Sequence, residues 1–74
     1  MQNTENIEIE RLPITLAQFL KWNGAALTGG QAKEMVRSGM VSLNGSPCLL
    51  AGQKLQPGDI ISIEQQNFRL VLAD

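Results

Sequence analysis

The sequence predicts an α+β fold, two short helices packed on a small, mostly antiparallel sheet. Three observations carry this. Helical hydrophobic periodicity is confined to the stretch between Leu16 and Val36, apolar/polar alternation replaces it on both sides, and Asn-Gly and Pro-Gly-Asp turn signals punctuate the second half. The 74 residues suit a single domain with a small core, and 43% hydrophobic content makes the chain too apolar to remain disordered.

The elements follow in order. Residues 1–6 are polar and read as a flexible N-terminal tail on a single domain spanning 1–74. Ile7-Glu8-Ile9-Glu10 alternates as a half-buried strand does, and Pro13 bars a central strand position after it. Thr15 is a good N-cap for a first helix in which Leu16, Phe19 and Leu20 share a face while Gln18 and Lys21 point away. Asn23-Gly24 ends that helix, since both residues tolerate the left-handed conformation. Thr28 and Gln31 have capping-box spacing at the start of a second helix, Ala32, Met35 and Val36 form its buried stripe, and Gly39 closes it. Gly29 and Gly30 in its first turn are poor helix formers. They imply either tight packing of the two helices or close approach of a phosphate to the helix start.

Beyond Gly39 the pattern is that of strands. Met40–Leu43 runs into Asn44-Gly45, a strong hairpin signal, with Pro47–Leu50 as the return strand and Ala51–Lys54 as a loop. Pro57-Gly58-Asp59 turns the chain into Ile60–Ile63, and Phe68–Leu72 pairs back through a hairpin at Gln65–Asn67.

Composition excludes several functions. No apolar run exceeds four residues, so no membrane span is expected, and the acidic N-terminus lacks a basic leader, which points to the cytoplasm. Cys48 is the sole cysteine and histidine is absent, which leaves no disulfide, no zinc set and no ready general base. Cys48, in an apolar segment, reads as a small buried hydrophobe. No metal, cofactor, small-molecule substrate or catalytic residue is expected.

The net charge of −1 hides an uneven distribution. Glu5, Glu8 and Glu10 make the first part acidic, and Asp59, Glu64 and Asp74 do the same for the last. Lys21, Lys33, Arg37 and Lys54 leave the middle basic, with only Glu34 against them.

Phe19-Leu20-Lys21-Trp22, Gly29-Gly30-Gln31-Ala32-Lys33, Gly39-Met40-Val41, Leu43-Asn44-Gly45 and Leu55-Gln56-Pro57-Gly58-Asp59 occur in that order. Over about residues 15–63 this array resembles the S-four RNA-binding domain, named after ribosomal small-subunit protein four, and in particular its small stand-alone bacterial members associated with ribosomes. The resemblance implies that the two helices and the following hairpin form an L-shaped surface for structured RNA, ribosomal or transfer RNA. The residues expected to contact it are Lys21, Thr28, Gly30, Gln31, Lys33, Arg37 and Lys54. Lys33 and Arg37 are one turn apart, and a guanidinium can grip a phosphate bidentately where lysines act as point charges. Trp22 lies beside the apolar stripe and reads as a cover at the core's edge, with stacking on an exposed base as the alternative. Asn44, Gly45 and Asp59 read as turn chemistry.

The chain departs from the family between the hairpin and Leu55, where many members carry basic residues and this one has Leu49-Leu50-Ala51-Gly52-Gln53. That leaves a second reading open, a protein-interaction adaptor on the same fold with weak RNA affinity. Leu43-Asn44-Gly45 and Gly58-Asp59-Ile60 are also similar to parts of ubiquitin-like sulfur carriers. Those act through a C-terminal Gly-Gly, and here the sequence ends Leu72-Ala73-Asp74.

Overall fold

A computed structural model describes residues 4–10 and 14–72. The order is β1 (Thr4–Ile9), β2 (Ile14–Thr15), α1 (Leu16–Trp22), α2 (Gly29–Arg37), β3 (Val41–Leu43), β4 (Ser46–Pro47), β5 (Lys54–Leu55), β6 (Ile60–Ile63) and β7 (Gln66–Leu72). Five strands form one sheet in the order β1-β7-β6-β3-β4, and β2 with β5 forms a small second one. Every pair is antiparallel except β1 with β7, which run parallel from Thr4 opposite Asn67 to Ile9 opposite Leu72. The α+β class is therefore as the sequence indicates.

Alternation decides which face is buried. Ile61 and Ile63 of β6, Val41 of β3 and Leu70 of β7 point to one side and meet Leu16, Phe19 and Leu20 of α1 and Ala32 and Val36 of α2 in a single core. Phe19 is fully buried and stands edge-on to Phe68, with ring centroids 6.2 Å apart. That geometry is favoured by the aromatic quadrupoles. The opposite face carries Ser42, Ser62 and Asn67 in register across three strands, with the Ser62 hydroxyl donating to Asn67 Oδ1 at 2.6 Å. No helix of the described residues is long and apolar enough to cross a membrane.

Four boundaries differ from those read in the sequence. The first strand begins at Thr4, not Ile7, so half of the segment taken for a tail is paired to β7. Backbone pairing at a sheet edge does not depend on side-chain hydrophobicity, so the polar Thr4-Glu5-Asn6 gives no alternation to read. Residues 1–3 and Pro13 lie outside the described residues. The return strand of the first hairpin is Ser46–Pro47 alone, because Pro47 has no N–H to extend the ladder; Cys48 makes one more bond, to the Val41 carbonyl at 3.0 Å, and the chain then leaves. Lys54, expected in a loop, pairs with Thr15 through β5. The last hairpin turns at Glu64-Gln65, before the expected Gln65–Asn67, with Glu64 at φ +57°.

The two turns recognised from sequence are bonded to each other. Asn44 and Gly45 have φ of +52° and +89°, as a two-residue hairpin requires. Asn44 Nδ2 donates to Asp59 Oδ1 at 3.1 Å, Ile60 N–H donates to Asn44 Oδ1 at 2.9 Å, and Gln56 N–H donates to Asp59 Oδ2 at 2.8 Å. This bracket fixes the Pro57-Gly58 turn against the β3–β4 hairpin. Asp59→Ala removes two of these bonds and is expected to cost roughly 1–2 kcal/mol. For a domain of this size that lowers the melting temperature by on the order of 5–15 °C in thermal denaturation followed by circular dichroism.

Candidate nucleic-acid interface

The two helices begin differently. At α1, Thr15 is the N-cap: its hydroxyl accepts from Gln18 N–H at 3.2 Å and Gln18 Oε1 accepts from Thr15 N–H at 2.8 Å, a complete capping box. Leu16 N–H donates to the Gln53 carbonyl at 2.8 Å and Ala17 N–H to the Ala51 carbonyl at 3.0 Å. Every amide at the start of α1 is thus satisfied, and the loop carrying Ala51 and Gly52 is held against the helix.

At α2, Thr28 Oγ1 accepts from Gln31 N–H at 3.0 Å and the Thr28 carbonyl accepts from Ala32 N–H at 3.0 Å. Gln31 does not close the box in the expected way. Its Oε1 accepts from Leu27 N–H at 2.7 Å, one residue before the cap. The amides of Gly29 and Gly30 meet no acceptor among the described residues. They lie at the positive end of the helix dipole, where an anion is favoured.

A surface groove of about 340 Å³ lies between these features, walled by Thr15, Ala17, Gln18 and Lys21 of the first helical segment, Gly29 and Lys33 of the second, and Ala51 and Gly52 of the loop. Lys21 and Lys33 are both exposed, and no described acidic side chain pairs with them. Lys33 carries the cationic face along α2 to Arg37, also exposed and one turn further on. Lys54 lies opposite Thr15 in β5 and is exposed.

The glycines answer a question the sequence leaves open. A Cβ built on Gly29 meets nothing within 4 Å, and one on Gly30 meets only Thr28 Oγ1 at 3.9 Å. Tight helix packing is therefore not why they are glycine. Nor is backbone conformation, since neither has a positive φ. Gly52, across the groove, is equally unconstrained.

Of the residues expected to contact RNA, Lys21 and Lys33 share the groove wall. Thr28 and Gln31 form the cap of α2, and Gly30, Arg37 and Lys54 are exposed but lie outside the groove wall. Thr15, Gln18, Ala51 and Gly52 escaped sequence reasoning as parts of this surface, although the Thr15-x-x-Gln18 capping box is itself a readable signal. Trp22, expected to cover the core's edge, is instead 58% exposed, because Phe19 and Leu20 already fill the space beneath α1. Cys48 is half-buried against the core, with its thiol 3.8 Å from the Leu50 carbonyl.

Comparison with known proteins agrees with this architecture. The chain is 40% identical over 58 residues to the probable ribosome maturation protein RlbA of Bacillus subtilis (strain 168), an alignment covering 78% of this chain and 82% of that protein. Among solved structures it superposes on a pseudouridylate synthase with a TM-score of 0.64 and 25% identity, over 69% of this chain. It spans only 22% of that longer protein. Residues 7–71 match the family described as the S4 domain, and the chain belongs to that family.

Proposed function

We propose that this chain is a non-catalytic, cytoplasmic binder of structured RNA, ribosomal or transfer RNA, acting in a ribosome-related process. The observation that carries the reading is a groove whose wall brings Lys21 and Lys33 together with Gly29, the first residue of α2. A phosphate is the ligand such a wall suits, since it combines two lysines with a helix start whose Gly29 N–H has no acceptor among the described residues. Glycine at position 29 lets the ligand's backbone come close to that amide. The name of the Bacillus subtilis relative, a probable ribosome maturation protein, supports a ribosomal setting. Thr28 and Gln31 serve the site by holding the α2 amides in place, and Arg37 and Lys54 lengthen the phosphate track.

A double variant, Lys33→Ala with Arg37→Ala, is expected to keep the fold and lose affinity for structured RNA by at least about tenfold. The slope of log K against log salt should become shallower by about one for each phosphate that is no longer neutralised. Filter binding across a salt series measures both, and unchanged affinity sinks the reading. Gly29→Ala separates fold from binding. It should stabilise α2 by about 0.5–1 kcal/mol in urea denaturation, since Ala is the better helix former and its Cβ has room. RNA binding should weaken in the same variant.

One observation favours the adaptor reading. Leu49 and Leu50 are 60% and 66% exposed on a loop whose ends are hydrogen-bonded to β3 and α1, so the apolar tip is held in solvent. Retention on an RNA-free protein partner, lost in Leu49→Ser with Leu50→Ser and unaffected by the Lys33 and Arg37 changes, would support it.

A further inference from the structure

We propose that Trp22 is a stacking platform for an unpaired base, so that the preferred ligand is RNA in which a bulged or looped nucleotide adjoins a helix. The proposal rests on the RNA reading above and deepens it.

The exposure of Trp22 belongs to a fixed part of the fold. Phe19 and Leu20, just before it, are fully buried. Just after it, Asn23 N–H donates to the Phe19 carbonyl at 2.9 Å, Asn23 Oδ1 accepts from Ala25 N–H at 3.0 Å, and Ala26 N–H donates to the Leu20 carbonyl at 3.0 Å. The indole is therefore carried on a pinned helix end with more than half its surface in water. A side chain of this size loses substantial hydrophobic free energy by staying exposed.

Its position supplies the ligand class. Gln18, one helical turn earlier on the same ridge as Trp22, walls the groove, as does Lys21 on the adjoining ridge. On this proposal a phosphate held at Lys21 leaves its base to reach the indole carried at the same helix end. Bases inside an A-form helix are stacked on each other and offer no free face, whereas an unpaired base does. Trp22 thus adds discrimination by RNA shape to a groove that by itself recognises only phosphate.

The chain has one tryptophan and no tyrosine, so intrinsic emission reports on this position alone. The test titrates the full chain with an RNA hairpin bearing a single-nucleotide bulge and with its fully paired counterpart. The bulged RNA is expected to quench Trp22 emission, and the paired RNA to bind without quenching. Trp22→Ala should lose about tenfold in affinity for the bulged RNA and little for the paired one, and Trp22→Phe should recover part of the preference. Equal emission with both bound RNAs, or a preference that survives Trp22→Ala, overturns the proposal. Retention on immobilised RNA-free ribosomal proteins that is lost in Trp22→Ala, with no emission change on RNA, assigns Trp22 to a protein contact and overturns it as well. The Lys33→Ala, Arg37→Ala chain separates the two readings. If it binds both RNAs as wild type does, the groove reading fails whatever the emission shows, and if wild type binds neither RNA, both readings fall.

Discussion

The start of α1 is the constraint on which the rest of the surface depends. A helix leaves its first amides without internal partners, and here chain from nearly forty residues later supplies them. The carbonyls of Gln53 and Ala51 take the N–H groups of Leu16 and Ala17, while β5 pairs with β2 just before the helix. This tie has two consequences. It brings Ala51 and Gly52 against α1 to complete one wall of the groove, and it closes the positive end of α1 so that α2 offers the open amides. A short helix is thereby converted from a competing anion site into a scaffold.

The same economy governs the small sheet. A domain of this size buries a limited core, so each fully buried side chain matters, and Phe19 against Phe68 couples the helical layer to β7. Strand β7 in turn is flanked by β6 on one side and by the parallel β1 on the other, joining the two ends of the described chain in one sheet. At the far edge, Asn44 and Asp59 lock the hairpin and the Pro57-Gly58 turn together. The helices are thus set on a sheet held by hydrogen bonds as well as by burial. Lys21 and Lys33 are carried on these helices as exposed side chains that line one groove.

Much of the site was legible because it rests on local rules. Thr15 and Thr28 are N-caps by residue type and spacing, Lys33 and Arg37 share a face by helical geometry, and the basic middle of the chain is plain from charge placement. What sequence reasoning missed depends on distance in space. Whether Gly29 served tight helix packing turned on the space around its Cβ. Whether Trp22 covered the core turned on how completely Phe19 and Leu20 filled it. Gln31 also departed from its expected bond, since its side chain reached the Leu27 amide where a capping box would take that of Thr28.

By itself the sequence determined the α+β class, both helices with their caps, the turns at Asn44-Gly45 and Pro57-Gly58-Asp59, and the identity of the cations. All of these follow from periodicity, from the conformations that Gly, Asn and Pro permit, and from side-chain charge, which act over a few residues. Only the tertiary structure decided that β1 joins β7 in parallel, that Lys54 pairs with Thr15, that the Ala51-Gly52 loop closes a groove with Lys21 and Lys33, and that Trp22 stands in solvent. Those outcomes come from backbone hydrogen bonding and space-filling between segments far apart in the chain. Neither leaves a periodic trace in the residues it joins.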